Sequence, residues 1–249
     1  MVLDILAKHP STATFIATKL CRRLVADDPP ASLVERASGI FRDTDGDLRR
    51  VVETIITSPE FFSPAAYRAK IKSPFEYAIS AVRAVGGRIA SVEVDPEMMR
   101  LRHTLEGAAS AGFGGDRVSG VRRKSLNLHI FEMGQPLYSY QAPTGWPEDS
   151  RKWVSSGALI ARLNFALAFT AAEILDVGEQ PRSLFARTDS REVDATLDLL
   201  ERTFVPAGLG VATRETLRAK ALGQEGGAAA IDVPQLAALV LGSPEFQHR

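Results

Sequence analysis

Ser73–Gly87 reads SPFEYAISAVRAVGG, and this stretch decides the fold class. Ser73 stands where an N-cap side chain accepts from the backbone three residues on. Pro74 falls at the first helical position, where its missing N–H costs nothing, and Glu76 is placed to reach back to the cap amide. The apolar residues that follow recur at helical, not alternating, spacing. Gly86-Gly87 offers the left-handed residue at which helices stop, so a helix is predicted from Pro74 to about Val85.

The same grammar extends in both directions. Upstream, Ser11 is placed to cap a helix with Ile16, Leu20 and Leu24 on one stripe, and Pro29-Pro30 opens another. Asp45-Gly46 makes a turn, after which Asp47 or Thr44 caps a helix whose Leu48, Val51, Val52, Ile55 and Ile56 share a face. Downstream, helices are predicted from Asp95 to near Gly112, from Ser125 to Met133, and through the long apolar run 155–175, with Ile160, Leu163, Leu167 and Ile174 on one side. Asp189 and Glu192 frame a second capping box before Val193, Leu197, Leu200 and Phe204. Two short helices follow, over 213–223 and 232–242. Only RIASVEV (88–94) alternates like a strand, and GFGGDRVSGVRRK (112–124) reads as loop. The fold class is mainly α: an irregular multi-helix bundle of about ten helices with one long ordered proline- and aromatic-rich loop, Gly134 to Trp153. It is read as a single helical domain over 1–249, with a sub-division into 1–87 and 88–249 as the alternative.

VVETIITSPEFF (51–62) and LAALVLGSPEFQ (236–247) share an apolar helix ending in Ser-Pro-Glu-Phe. A repeated helix-stop device explains this better than a duplication: proline interrupts, serine starts the next turn, and phenylalanine packs back.

Composition excludes several classes of function. Of 249 residues, thirty are basic and thirty acidic, so no global charge attracts polyanions and nucleic-acid binding is not expected. A single cysteine, Cys21, forbids an intrachain disulfide and a cysteine-based zinc cluster. MVLDILAKHPSTATF is no signal peptide, which fits the cytoplasm if this N-terminus is native. The run Ala158–Leu175 is broken by Arg162, Asn164 and Glu173 and reads as an amphipathic helix, not a membrane span.

Catalytic and metal-binding patterns fail in detail. The four histidines, His9, His103, His129 and His248, are scattered, and His129 three residues before Glu132 reads as a local ion pair. DTDGD (43–47) has its glycine two places early for a calcium loop and lacks the twelfth-position glutamate. The glycines of 112–120 lack the Gly-Lys-Ser/Thr ending of a phosphate loop. Arg122, Arg123 and Lys124 form a small solvated basic cluster. No metal or cofactor is expected.

Residues 133–164 hold the candidate site. Pro136, Pro143 and Pro147 stiffen the path; Tyr138, Tyr140, Trp146 and Trp153 supply aromatic area with polar tips. Arg162 and Asn164 on the following helix bring donors suited to loop carbonyls or a ligand carboxylate. Two readings stay open. One is a loop packed on helices, tied down by Arg162, with Trp146 and Trp153 at least partly buried. The other is an aromatic-lined pocket of Tyr138, Trp146 and Arg162, with Gln135 and Asn164 as hydrogen-bonding groups and Trp153 as a further aromatic.

These blocks resemble a bacterial family known as domain of unknown function 1800. GQPLYSYQAPTGWPEDSRKWVSSGALIARLNFA (134–166) is similar to its C-terminal signature of Gly-Gln-Pro, an aromatic and proline loop, Gly-Trp/Tyr-Pro, Trp, then Arg-x-Asn-Phe on a helix. LDILAKHPSTATFIATKLCRRLVADDPP (3–30), DGDLRRVVETIITSPEF (45–61), KSPFEYAISAVRAVG (72–86) and LVLGSPEFQHR (239–249) resemble further blocks in order. The resemblance implies a helical fold and no established activity. Members are usually longer, with an N-terminal Trp-His-x-His-Phe-like segment that is not here, so the chain looks like the C-terminal half. Two functions are carried forward: a non-catalytic protein-interaction or scaffold module, whose partner is another protein or the missing N-terminal half; and, as the alternative, part of a hydrolase-like enzyme with a pocket for a polar small molecule or glycan.

Overall fold

The computed structural model describes residues 2–90, 117–118, 121–122, 124–178, 180–186, 192–223 and 232–249. The helix expected from Asp95, His103, Arg123 and Asp189 lie outside them. The described residues hold twelve α-helices, and the protein is mainly α. They gather into two units, one of residues 1–72, 144–154 and 248–249, the other of 73–143 and 155–247.

In the first unit the helices are α1 (Val2–Lys8), α2 (Pro10–Leu24), α3 (Ala31–Asp43) and α4 (Leu48–Ile56), with a 3-10 turn at Ser150–Trp153. α2 starts two residues earlier than expected. Pro10 takes the first helical position and the cap passes to His9, whose Nδ1 accepts from Ser11 N at 3.1 Å. Asp47 caps α4 as anticipated, accepting from Arg49 N and Arg50 N, after a turn through Asp45 (φ 52°) and Gly46 (φ 89°). The core is made of small and branched side chains: Ala17, Cys21, Val25, Leu33, Ala37, Val51 and Ile55. Alanines at 13, 17 and 37, all fully buried, let α2 and α3 pack closely.

The second unit contains α5 (Pro74–Ala84), α6 (Leu126–Glu132), α7 (Ser156–Thr170), α8 (Gln180–Phe185), α9 (Val193–Phe204), α10 (Val211–Gly223), α11 (Val233–Gly242) and α12 (Pro244–Gln247). The α5 capping box forms in full, and the helix stops at Val85 with Gly86 at φ 65°. Arg88–Ala90 pairs with Asp176–Gly178 through Ala90 N to Asp176 O and Gly178 N to Arg88 O. Inside the stretch read as loop, β1 (Arg117–Val118) pairs antiparallel with β2 (Val121–Arg122). α9 buries Val193, Leu197, Leu200 and Phe204 as its pattern predicts, although its N-cap, Glu192, makes no side-chain cap bond. α11 lies along α7, and Phe165 sits among Tyr77, His129 and Phe169 with ring centroids 5.6–5.7 Å apart.

α7 departs from expectation in two ways. It ends at Thr170, because Ala172 turns left-handed (φ 56°) and Glu173 N bonds back to Ala168 O at 2.8 Å, so Ile174 belongs to the next segment. The stripe assigned to the core also faces out. The buried side carries Arg162, Phe165, Ala166 and Phe169, while Leu159, Ile160, Leu163 and Leu167 are exposed. A helix apolar all round has no periodicity to choose its inner face. The two phenylalanines at i and i+4 win because they bury more area than leucines do.

The two Ser-Pro-Glu-Phe segments use one device. Ser58 Oγ accepts from Phe61 N at 3.2 Å and Ser243 Oγ from Phe246 N at 3.4 Å. Only the second continues into a helix, α12.

Cys21 lies fully buried in the first core, and burial pushes its thiol up to about 11. A thiol reagent at pH 8 is expected to leave the native chain unlabelled and to label one site after denaturation; rapid native labelling would mean that this core opens freely.

Candidate functional site

The loop after Thr144 is tied into the first unit by a buried ammonium. Lys70, 3% exposed, donates from Nζ to Asp27 Oδ1 (2.7 Å), Arg22 O (2.7 Å) and Glu148 O (2.8 Å). Asp27 in turn accepts from Ser150 N through both oxygens at 3.1 Å, and its Oδ2 is bonded to Ser150 Oγ. Burial pushes the Asp27 carboxyl up, but the hydrogen bonds from Lys70 and Ser150 outweigh it and hold the carboxyl below its usual range. Serine, lysine and aspartate together are the ingredients of a nucleophile and base, so the proton count decides. An ammonium has three hydrogens, and all three are donated here. Lys70 is therefore charged and has no lone pair with which to take a proton from Ser150. Ser150 is itself buried. The cluster holds the loop in place. Around it Arg23 pairs with Glu148 (3.4 Å) and Arg151 with Asp149 (2.9 Å) and Asp28 (3.4 Å), all near the surface.

Sequence reading missed Lys70 and Asp27. Neither belongs to a local pattern, since their partners lie 43 and 78 residues away from Lys70. The only available signal was the stiff loop, which needed an anchor.

Of the residues singled out, Trp146 and Trp153 meet in the first unit with ring centroids 5.6 Å apart; Trp153 is buried and Trp146 half-buried. Gln135, in the second unit, is buried and accepts from Phe75 N at 2.8 Å, satisfying a donor in the first turn of α5. Tyr138 stands fully in solvent with φ 64°, and Asn164 is exposed on α7. Arg162 is 1% exposed. Its guanidinium lies 5.1 Å from the Tyr77 ring centre, and Nη1 donates to Gln247 Oε1 at 3.2 Å. Burial lowers its pKa, opposed by Tyr77 and Glu76. Tyr77 Oη donates to Leu241 O (3.1 Å) and to Arg162 O (3.4 Å), joining α5, α7 and α11. Arg162 and Asn164 thus point to opposite sides of one helix, two residues apart.

His129 is buried edge-on against Phe165, and burial lowers its pKa. The local pair expected with Glu132 gives way to Lys124, whose Nζ is 2.6 Å from Glu132 Oε1. A depression of about 580 Å³ on α4, lined by Asp47, Arg49, Arg50, Val52, Glu53 and Ile56, is open to solvent and includes none of Gln135, Tyr138, Trp146, Trp153, Arg162 and Asn164. Among the described residues no group of three acidic, histidine or cysteine side chains is placed to hold a metal ion. No described helix is long and apolar enough to cross a membrane.

The outward face of α7 remains. Leu159, Ile160, Leu163 and Leu167 are 41–62% exposed, and the helix's one charged residue, Arg162, faces inward. Single exposed leucines are ordinary; four in a row on an uncharged helical face are not.

Three substitutions probe these arrangements. Asp27→Ala is expected to cost about 3–5 kcal/mol by leaving the Lys70 charge buried without its carboxylate. Because the folded Asp27 pKa is depressed, the stability it contributes is complete above about pH 4 and is lost as pH falls through the lower folded value. Denaturant midpoints of wild type and Asp27→Asn should therefore converge on acidification. Arg162→Lys, which replaces a planar stacked group with a point charge, should cost about 1–2 kcal/mol in the same assay.

No curated protein and no solved structure matches the chain. A family model does, over residues 1–248, and its description is "Protein of unknown function (DUF1800)". The match takes in both helical units and the loop anchored by Lys70 and Asp27, and the chain belongs to this family.

Proposed function

We propose that this protein is a non-catalytic interaction module, and that the outward face of α7 is its docking surface. One observation carries the reading: a 15-residue helix of the second unit turns a continuous uncharged apolar stripe to solvent while its opposite face is fully packed. Four side chains so exposed amount to a patch on the order of a few hundred Å², the size that marks binding surfaces on monomeric proteins. The polar groups that an enclosed small-molecule pocket would use are engaged elsewhere. Gln135 satisfies the start of α5, Arg162 is packed on Tyr77 and Gln247, and Lys70 donates all its protons. Tyr138 and Asn164 stand in water.

The double variant Ile160→Glu/Leu163→Glu tests this reading. It should melt cooperatively within a few degrees of wild type, since both side chains are already exposed. It should fail to retain the proteins that wild type cross-links to α7 in extract of the source cells. An unchanged set of α7 cross-links would overturn the proposal.

A further inference from the structure

We propose that residues 144–154 are a detachable strap on the first unit, held shut by the Lys70–Asp27 pair, which opens as one piece while the helices beneath it stay folded. The apolar core of that unit is complete without the strap. Its buried members run from Ala17 to Ile55, and the partly buried residues packed on them end at Ala66. Within the strap only Ser150 and Trp153 are buried, and neither belongs to a core cluster. The Trp153 ring packs on Trp146 with 5.6 Å between centroids, so that contact travels with the strap. Polar groups join it to the body: Glu148 O to Lys70, Ser150 to Asp27, and, nearer the surface, Arg23 to Glu148 and Arg151 to Asp28. Exposed pairs contribute little, so the buried pair decides whether the strap stays down.

The socket is preformed. Lys70 is fixed from behind, its N–H donating to Arg249 O (3.3 Å) and its carbonyl accepting from Arg249 N (2.8 Å). When the strap leaves, Nζ keeps Asp27 Oδ1 and Arg22 O, and Arg22 Nε still holds the Asp27 carbonyl at 3.2 Å. Closing therefore orders the strap alone, against groups already in place. The chain can hinge at both ends: Gly145 enters at φ 74° with open space where a side chain would stand, and Val154 is exposed where the strap ends. Charge makes the strap the piece that yields. Without the Asp27 carboxylate, a closed strap leaves the Lys70 ammonium buried and short of its counter-charge, whereas an open one hydrates it and disturbs a single loop.

Two probes separate strap from body. Both tryptophans of the chain lie in the strap, so their emission reports it; Cys21, fully buried in the core beneath, reports the body through its reactivity with a thiol reagent. In urea, wild-type emission should shift to the red at a lower concentration than the one that makes Cys21 reactive. Asp27→Asn should lower the midpoint of the emission change and leave that of Cys21 labelling near wild type. Arg151→Ala, which removes only surface pairs, should leave both in place. Trypsin gives an independent readout, because Arg151 and Lys152 are exposed but fit a protease only from an open strap. Native Asp27→Asn should be nicked there severalfold faster than wild type. Emission and Cys21 labelling that change together in wild type, an Asp27→Asn midpoint that falls equally by both probes, or nicking at the wild-type rate each overturns the strap.

Discussion

Burial of Phe165 and Phe169 is the constraint that organises the larger unit. α7 is apolar on every side, so it could pack in several orientations. Only the one that seats both rings lets Phe165 meet Tyr77, His129 and Phe169 edge-on or stacked. That orientation draws Arg162 into the interior, where the Tyr77 ring and Gln247 receive it. It also turns Leu159, Ile160, Leu163 and Leu167 outward. The packed core and the proposed docking surface are two consequences of a single rotation of one helix.

In the smaller unit a polar interaction plays the organising part. Small side chains bring α2, α3 and α4 together, but they bury little area and do not hold a proline-rich loop. The Lys70 ammonium does, by donating to three fixed oxygens of the α2–α3 region and the loop at once. Buried charges are tolerated when every proton and lone pair is answered, and here the Asp27 carboxylate is answered by Lys70 and Ser150 together. That saturation is what makes the cluster a stable anchor. A lysine that donates three hydrogen bonds fastens the segments that supply the oxygens.

Functional reading of such a family depends on separating groups that are engaged from groups that are available. Aromatics and an arginine near a rigid loop are the usual composition of a binding pocket, and they are equally the composition of a loop anchor. Burial separates the two. Trp153 is inside against Trp146, and Gln135 and Arg162 are inside and hydrogen-bonded; Tyr138, Asn164 and the leucines of α7 are outside. The surface that emerges is apolar and uncharged, which favours protein contact over catalysis on a polar substrate.

Much was legible in the sequence because it depends on near neighbours. The capping box at Ser73 and Glu76, the Asp47 cap, the glycine stop at Gly86, the apolar face of α9 and the repeated Ser-Pro-Glu-Phe turn are all closed within a few residues, so local chemistry specifies them. The mainly α fold and the family follow from the same local signals in order along the chain. What only the tertiary structure decided is long-range. No pattern within α7 says which of its apolar sides faces inward, since Phe165 competes with Leu163 only when Tyr77, 88 positions earlier in the sequence, arrives to pack against it. No pattern around Lys70 says that Asp27 and the Glu148 carbonyl will share its charge. Periodicity records that a residue is apolar and how often it recurs. Which face is buried, and which charge is matched, is settled by what the rest of the chain brings alongside.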